Sequence, residues 1–387
     1  MEYDFASCPD RSGTGSLKWQ KYAGGEVLPF WVADMDFGSA PEVLEALSAR
    51  TRHGVFGYTL PPAETVDAVV DYLRRDHGLA VEPKWLVWLP GLVPALNTAA
   101  RAYAEREESV MTCVPVYPPF LTAPGNQGRR CLQVPLAVAD GRYTFDFEAM
   151  EAAVRPDTRV FFLCNPHNPV GRVFTRAELE AVVAFCRRHN LVLISDEIHC
   201  DLILDDAALH IPTLALGGVE DLTVTLMAPS KTYNLPGLAC SFVIAPDARL
   251  RARFERACRG MITEVNCFGY TGCAAAFRHG EPWRQALLKV LRANRDRVYA
   301  FAEDEMPELG ILPMEATYLA WFDVRPLGLR RPDAHFEEHG IGLSDGGAFG
   351  TPGFLRLNFG CPSAQLEEGL RRMKRAYDAA LTARAAV

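Results

Sequence analysis

The 387-residue sequence lacks several features that would point to particular classes of protein. It has no apolar run close to the roughly 20 residues that cross a bilayer, and residues 1–5 are acidic where a signal peptide is basic. Its 11 cysteines form no C-x-x-C pair and lie mostly beside apolar residues, which favours reduced core thiols. These absences predict a cytoplasmic protein without a membrane partner and without disulfides.

The charge pattern excludes a further class of partner. Lysine and arginine number 40 against 48 aspartates and glutamates, which gives a formal net charge of -8 with the two signs interspersed. Because nucleic-acid binding needs a basic patch, we expect no nucleic-acid partner. An H-x-x-E-H string at 335–339 matches a zinc motif, but no second acidic helix completes its ligand set. We interpret it as a solvated charged helix and predict no metal.

Short apolar runs alternate with amphipathic stretches, a rhythm typical of an α/β domain with a largely parallel, buried sheet. In one unit, Thr175 and Glu178 form a capping box whose helix leads into the next apolar run. Ser39 before Pro41 predicts a similar helix start. The predicted strands are 85–89, 110–114, 160–163, 191–194, 223–227 and 242–245.

The chain is too long for one ordinary core, so we expect a large and a small domain. After about residue 280 the pattern changes to a long helix at 287–301, an apolar stretch and a final helix at 364–380. The predicted divisions are an N-terminal arm packing with the small domain (1–40), a large domain (41–280) and a small C-terminal domain (281–387).

Polar residues follow three of the predicted strands: Asn168, Asp196 and Lys231. Ligands of open α/β sheets bind beyond the carboxyl ends of strands, so these side chains should meet. An amine, a carboxylate and an amide at one sheet edge suit pyridoxal 5'-phosphate (PLP). The lysine forms an imine with the aldehyde, and the acid keeps the ring nitrogen protonated. Beside that cation the pKa of Asp196 should fall.

Further motifs occur in a fixed order along nearly the whole chain. With them the sequence resembles the fold-type-I PLP-dependent enzymes of the class I/II aminotransferase superfamily, in particular the cystathionine β-lyase-like carbon-sulfur lyases. The resemblance implies an α/β fold with a mainly parallel central sheet, helices on both faces and a smaller α+β C-terminal domain. The motifs are 11–19, 31–37, 56–59, 115–120, the three strand ends and 355–362.

The resemblance also implies a role for each residue of the site. Lys231 is the lysine that bonds PLP and the general base, and Asp196 is the partner of the ring nitrogen. Asn168 donates to the ring hydroxyl, and Tyr117 stacks on the ring. The other cofactor contacts are the backbone N–H groups of Gly91, Leu92 and Val93, the Ser230 hydroxyl, His199, and Tyr58 of a neighbouring subunit, which implies a homodimer with shared active sites.

Arg356 matches the arginine that binds the substrate carboxylate in a two-pronged pair. His199 and Ala239 stand where many aminotransferases have a tyrosine and an arginine, and both differences occur in the lyase branch. Simpler roles are open for three residues: Tyr58 as a core aromatic, Tyr117 as ordinary packing, and His199 as a neutral histidine bonded to a backbone carbonyl.

The implied reaction is α,β-elimination from a cysteine S-conjugate, which gives a thiol, pyruvate and ammonia. An aminotransferase is the main alternative, because the same carbanion can be reprotonated on the cofactor instead. An enzyme of specialised biosynthesis that acts on a cysteine S-conjugate is a further alternative. A non-catalytic regulator with this fold is the third, although an intact set of Lys231, Asp196 and Arg356 counts against it.

Overall fold

The computed structural model describes residues 3–385, so the ends of the predicted arm and small domain, residues 1, 2, 386 and 387, lie outside it. The strands in chain order are β1 (Leu28–Pro29), β2 (Leu86–Leu89), β3 (Ser109–Val114), β4 (Arg130–Pro135), β5 (Ala137–Ala139), β6 (Arg142–Thr144), β7 (Thr158–Cys164), β8 (Val192–Asp196), β9 (Thr223–Met227), β10 (Ser241–Ile244), β11 (Gly310–Ile311), β12 (Leu319–Asp323), β13 (Ile341–Gly342), β14 (Ser344–Asp345) and β15 (Phe354–Asn358).

Helices alternate with the strands through most of the chain. They are α1 (Leu17–Gln20), α2 (Pro41–His53), α3 (Ala63–His77), α4 (Leu92–Tyr103), α5 (Pro118–Asn126), α6 (Phe147–Ala153), α7 (Arg176–Arg188), α8 (Ala248–Cys258), α9 (Cys267–His279), α10 (Glu281–Glu305), α11 (Pro332–Glu338) and α12 (Ser363–Ala385). The predicted long helix and final helix are confirmed as α10 and α12.

Seven strands form the central sheet in the order β2-β10-β9-β8-β7-β3-β4. β9, β8, β7, β3 and β4 are mutually parallel, whereas β10 is antiparallel to both of its neighbours. β2 therefore runs in the same direction as the parallel strands. The mainly parallel sheet is confirmed, and all six predicted strands occur within two residues of their predicted bounds.

Two helix starts were predicted from capping residues, and one of the two predicted caps is wrong. The capping box of Thr175 and Glu178 is confirmed at the start of α7. α2 begins at Pro41 as expected, but its N-cap residue is Ala40, and no side chain in the described range caps it. The predicted cap by Ser39 is wrong because a proline at the first helical position leaves the N-cap to the residue before it.

β4 was not predicted, and its position in the sheet explains why. It lies at the edge, where most of its side chains are exposed or partly buried. An edge strand therefore carries no continuous apolar run of the kind that marks the central strands.

Helices cover both faces of the central sheet, as predicted. Successive strand residues point to opposite faces, so Phe161 and Phe162 of β7 belong to two different apolar clusters. Phe161 packs with the cluster that includes Phe185 of α7, and Phe162 packs with the cluster that includes Leu96 of α4. Both faces are buried, which accounts for the uninterrupted apolar runs of the sequence.

A second sheet has the antiparallel order β11-β12-β15-β14. The N-terminal segment contacts this part of the chain, since β1 pairs in parallel with β13 and the backbone N–H of Asn358 donates to the carbonyl of Phe30. The domain boundaries at residues 40 and 280 stay a prediction. Between residues 3 and 385, no helix combines the length and the apolar content that a membrane crossing requires.

Candidate active site

Five strands that run in the same direction end at one edge of the central sheet. Asp196 is the last residue of β8, and the segments after β2, β3, β7 and β9 carry Gly91, Tyr117, Asn168 and Lys231. β9, β8 and β7 are direct neighbours, so the lysine, the carboxylate and the amide follow one another along that edge. This arrangement brings together the three residues on which the sequence argument depends.

The strand ends surround a cavity of about 240 Å³. Tyr58 does not lie there and is fully exposed in the loop between α2 and α3, so the alternative of a core aromatic is wrong. Tyr117 lines the cavity wall and is not confined to packing between its neighbouring prolines. The predicted residues that line the cavity are Gly91, Leu92, Val93, Tyr117, Asn168, Asp196, His199, Ser230 and Lys231.

The amine of Lys231 is placed to act as a base near neutral pH. Its Nζ donates a hydrogen bond of 2.5 Å to the carbonyl oxygen of Ala33. Burial of the amine and repulsion by Arg356 lower its pKa to about 8, against the opposing attraction of Asp34 and Asp196. A large fraction of this lysine is therefore a neutral amine at pH values where an ordinary lysine is charged.

Asp196 is a buried carboxyl group, 4% exposed, at the end of β8. Its Oδ1 accepts a hydrogen bond of 3.1 Å from the backbone N–H of Ile198. Burial raises its pKa to about 7, and Lys231 only partly offsets that effect. The protein's own groups thus do not produce the predicted fall in the pKa of Asp196. A cation placed directly against this carboxyl group is required to lower it.

Arg356 comes from β15 of the second sheet and joins the site from the side. Its Nη1 donates to Oδ1 of Asn168 at 3.0 Å, and its Nη2 donates to the carbonyl of Trp31 at 2.8 Å. The guanidinium lies 4.8 Å from the ring centroid of Phe349. Its Nε is buried without a hydrogen-bond partner within residues 3–385, so the group retains a donor for an incoming anion.

The Asn168 loop is fixed by the histidine that precedes it. Nε2 of His167 lies 2.6 Å from the carbonyl oxygen of Pro115, and Nδ1 lies 3.1 Å from that of Cys164. Burial lowers the pKa of His167 to about 4, so the ring is neutral and donates one of these two bonds. It connects the ends of β7 and β3, after which Asn168 and Tyr117 line the same cavity.

His199 lines the cavity as a neutral side chain. Burial lowers its pKa to about 3, and the nearby cations Lys231 and Arg356 act in the same direction. Its Nδ1 is buried and has no hydrogen-bond partner in the part of the chain that the structure describes. The alternative role of His199, a neutral ring bonded to a backbone carbonyl, therefore does not hold for Nδ1, since no carbonyl bonds this atom.

Sequence reasoning gave no role to the segment 31–34, although it noted the motif that contains it. The carbonyls of Trp31 and Ala33 accept hydrogen bonds from two functional side chains, those of Arg356 and Lys231. These are backbone groups, and side-chain identity carries no direct signal for them. The motif 31–37 was the one feature that could have pointed to this segment.

A second group missed from the sequence supports the Lys231 loop. Oγ1 of Thr232 donates to Oδ2 of Asp201 at 3.0 Å, and Asp201 also accepts from Tyr72 and His77. Burial would raise the pKa of Asp201, but the hydrogen bonds from His77 and Tyr72 and the charges of His77 and Arg284 lower it to about 2. His77, Cys200 and Asp201 lie close enough together to hold a metal ion. The Tyr72 hydroxyl, however, lies within 3.5 Å of Nε2 of His77, Sγ of Cys200 and the Asp201 carboxylate, so we interpret the cluster as structural.

Two further features of the cavity fit PLP. Asp196 has no ion-pair partner within 4 Å among the described residues, and a protonated ring nitrogen would supply one. Gly91 is the N-cap residue of α4, and no side chain within residues 3–385 caps the helix, which leaves N–H groups free for a phosphate. With the amine of Lys231 between them, the residues present match the ring, the phosphate and the aldehyde of this cofactor.

Comparisons with known proteins agree with this geometry. The family of class I and II aminotransferases matches residues 26–373. The chain is 38% identical to cystathionine beta-lyase PatB of Bacillus subtilis, over 96% of this chain and 99% of that protein. The structure of cystalysin from Treponema denticola, which contains PLP, superimposes with a TM-score of 0.94 at 32% identity, over 98% and 100% of the two chains. OvoB gives a TM-score of 0.94 at 41% identity, over 97% and 99%.

The chain therefore belongs to the class I/II aminotransferase family and has the PLP-dependent fold type I.

Proposed function

We propose that this protein is a PLP-dependent carbon-sulfur β-lyase that converts a cysteine S-conjugate and one water molecule to a thiol, pyruvate and ammonia. The observation that carries the proposal is that Lys231 and Asp196 line one cavity whose wall also contains Asn168, the residue to which Arg356 is hydrogen-bonded. The relatives support the lyase branch, since PatB is a cystathionine beta-lyase and a Staphylococcus hominis protein with a TM-score of 0.91 is a PLP-bound C-S lyase.

Bound PLP supplies an aldehyde for the substrate amine and a protonated ring that accepts the negative charge developed at Cα. Asp196 holds the proton on the ring nitrogen, because a buried carboxylate is stabilised by a cation in contact with it. Lys231 Nζ, as a neutral amine, removes the Cα proton. Its pKa of about 8 makes the neutral form available near physiological pH.

Arg356 binds the α-carboxylate of the substrate and orients it. Its planar fork suits a carboxylate, and the bonds to Asn168 and to the carbonyl of Trp31 hold that fork in place. Burial lowers the pKa of Arg356 to about 10, but the group stays charged at neutral pH. A free α-amino acid head group is therefore the part of the substrate that the site recognises.

The same cavity favours a lyase over an aminotransferase at two positions. His199 and Ala239 both line it, in place of the tyrosine and arginine of many aminotransferases. Sequence relatives nevertheless include transaminases such as arginine-pyruvate transaminase AruH of Pseudomonas aeruginosa, at 28% identity. Transamination therefore remains the second candidate function.

We further propose that two copies of the chain share their active sites in the cytoplasm. The loop between α2 and α3 exposes four large apolar side chains, and Tyr58 among them is fully exposed. Contiguous exposed apolar surface marks an interaction site. Burial against a second copy accounts for it and lets Tyr58 reach the cofactor phosphate of that copy. The four side chains are Val55, Phe56, Tyr58 and Leu60.

The experiment is an assay without any oxo-acid acceptor. The purified protein with added PLP is given L-cystathionine and a panel of S-substituted cysteines, and free thiol and pyruvate are measured. We expect equal amounts of the two products. Lys231→Ala should abolish both, whereas Lys289→Ala, at an exposed lysine of α10, should change neither.

The alternative functions give different outcomes in the same assay. Rapid transfer of the amino group to an added oxo acid, with no thiol release, contradicts the lyase and indicates a transaminase. Reduction of the PLP-loaded protein with borohydride followed by peptide mapping should place the pyridoxyl group on Lys231. A label on another lysine, or on none, contradicts the assignment of the site.

A further inference from the structure

The carbonyl oxygen of Ala33 accepts two hydrogen bonds at the active site. One comes from Nζ of Lys231 at 2.5 Å, and the other comes from the hydroxyl of Tyr318 at 2.9 Å. Because the bonds share one oxygen, the phenol and the amine lie within two hydrogen-bond lengths of each other. None of the roles assigned above uses Tyr318, which is 1% exposed and immediately precedes β12.

The Ala33 carbonyl cannot readily turn away from these donors. The single side-chain amide of Asn358 donates from Nδ2 to the carbonyls on either side of it, those of Val32 and Asp34, at 2.6 Å each. These two bonds hold the peptide groups of Val32 and Asp34, on either side of Ala33, and thereby restrict rotation of the carbonyl between them.

The backbone around Tyr318 is also held in place. Thr317, fully buried, has φ of +74°, a conformation that a β-branched residue rarely adopts. Such a conformation persists only where the surroundings over-determine it. Here the N–H of Thr317 donates to the carbonyl of Leu202, and the carbonyl of Tyr318 accepts from the N–H of Phe359. Tyr318 thus has one position, with its hydroxyl on the Ala33 carbonyl.

We propose that Tyr318 is a positioning residue that acts through the Ala33 carbonyl and favours the neutral amine of Lys231. The hydroxyl hydrogen and the lysine hydrogens converge on the same oxygen. The positive end of the O–H dipole therefore faces Nζ and disfavours a positive charge there. The hydroxyl also takes part of the acceptor capacity that would otherwise stabilise the ammonium form.

The charged groups that face Lys231 from other elements are not altered by loss of this hydroxyl. Arg356 on β15 opposes the ammonium charge, while Asp34 and Asp196 favour it. His199 is neutral because burial lowers its pKa to about 3. A change in the titration of Lys231 in Tyr318→Phe consequently reports the hydroxyl, since the aromatic ring and these four groups remain.

The first test measures the pKa of Lys231 directly, in the full-length protein freed of PLP by dialysis against phenylhydrazine. The amine is acetylated with a trace of acetic anhydride at a series of pH values, and the modified peptide is quantified by mass spectrometry. We expect Tyr318→Phe to raise the apparent pKa of Lys231 by about half a unit to one unit. An unchanged or lowered pKa overturns the inference.

Tyr103 offers a matched control. It is also buried, and its hydroxyl donates 2.9 Å to a backbone carbonyl, that of Leu250, between α4 and α8. Tyr103→Phe should lower the melting temperature about as much as Tyr318→Phe but leave the pKa of Lys231 unchanged. An equal pKa shift in both variants shows a general loss of packing and overturns the positioning role.

The second test uses the PLP-loaded enzyme and rests on the proposed function of Lys231 as the base. In Tyr318→Phe the acidic limb of the kcat profile with L-cystathionine should move to higher pH by the same amount as the pKa measured by acetylation. A pKa shift without any lyase activity leaves the positioning role intact and contradicts the proposed function instead. A kcat profile that does not move in an active variant overturns the inference.

Discussion

Arg356 donates a hydrogen bond of 3.0 Å from Nη1 to Oδ1 of Asn168. The two residues are 188 positions apart, since Asn168 lies in the loop after β7 of the central sheet and Arg356 lies on β15 of the second sheet. In the proposed function one binds the substrate carboxylate and the other contacts the cofactor ring, so this bond connects the two ligand-binding parts of the site. It also fixes the side-chain amide of Asn168 with its oxygen toward the guanidinium, which leaves its NH₂ group for the ring hydroxyl.

Replacing Arg356 by lysine tests whether the site needs only a positive charge or also the planar guanidinium group to bind the substrate carboxylate. Lysine keeps the positive charge, but its donors all lie on one nitrogen and cannot replace the planar fork whose Nη1 bonds Asn168 and whose Nη2 bonds the Trp31 carbonyl. We expect KM for L-cystathionine to rise roughly 10- to 100-fold, equivalent to loss of one charge-assisted hydrogen bond, with a smaller change in kcat. The exposed Arg330 supplies the control, and Arg330→Lys should leave both constants unchanged. An unaltered KM in Arg356→Lys contradicts the carboxylate role.

The buried carboxyl group of Asp196 should make the stability of the cofactor-free protein depend on pH. Its pKa is about 7 in the folded chain and about 4 in the unfolded chain. A raised folded pKa gives stability that is present below pH 4 and is lost as pH rises through 7. Relative to Asp196→Asn, the wild type should therefore lose free energy of unfolding between pH 4 and 8, by up to about 4 kcal/mol.

Urea unfolding of the full-length protein without PLP measures this difference. The exposed Asp67 of α3 provides the comparison, since Asp67→Asn should show no such pH-dependent difference from the wild type. A constant offset between the wild type and Asp196→Asn across the range would show that Asp196 ionises normally. Addition of PLP should reverse the trend for the wild type alone, because the ring cation then stabilises the charged carboxylate.

The shared-site proposal predicts complementation between two inactive variants. Lys231→Ala lacks the base, and Tyr58→Ala lacks the side chain offered to the other subunit. In a mixed dimer, one site combines both defects while the other has neither. Unfolding the two variants together and refolding them should restore about a quarter of the wild-type activity, since about half of the dimers are mixed and each has one intact site.

Refolding each variant alone controls for recovery of activity by either one. If Tyr58 acted within its own subunit, every site of a mixed dimer would keep one defect and no activity would return. Failure of complementation by a mixture shown to contain heterodimers would thus contradict the cross-subunit role of Tyr58. It would leave the assignments of Lys231 and Asp196 untouched.

Gly171 should be essential to the Asn168 loop for a steric reason. A Cβ atom there would lie 2.9 Å from the carbonyl oxygen of Ala316 and 3.2 Å from Cα of Met314, and φ is +69°. Gly141 has φ of +70° with no atom within 4 Å of a Cβ among the described residues. We expect Gly141→Ala to lose about 1 kcal/mol and Gly171→Ala about 2–5 kcal/mol in chemical denaturation. Equal losses would show that the close backbone contact does not matter.

Much of the fold could be predicted because its signals are local. Continuous apolar runs identified the buried strands, and the capping box of Thr175 and Glu178 identified the start of α7. Where burial is partial the signal disappears, as in β4 at the sheet edge. The cap assigned to Ser39 failed for a different reason, because Pro41 at the first helical position leaves the N-cap to Ala40.

The sequence by itself determined which chemistry the protein carries: a lysine, an acid and an amide at strand ends, in a motif order that belongs to one family. Only the tertiary structure decided how those groups are tuned. The pKa of Lys231 depends on burial and on Arg356 from the other sheet, and its hydrogen-bond acceptor is the Ala33 carbonyl, shared with Tyr318. The sequence gives the identity of each side chain directly, whereas burial and shared backbone acceptors arise only when distant segments pack together.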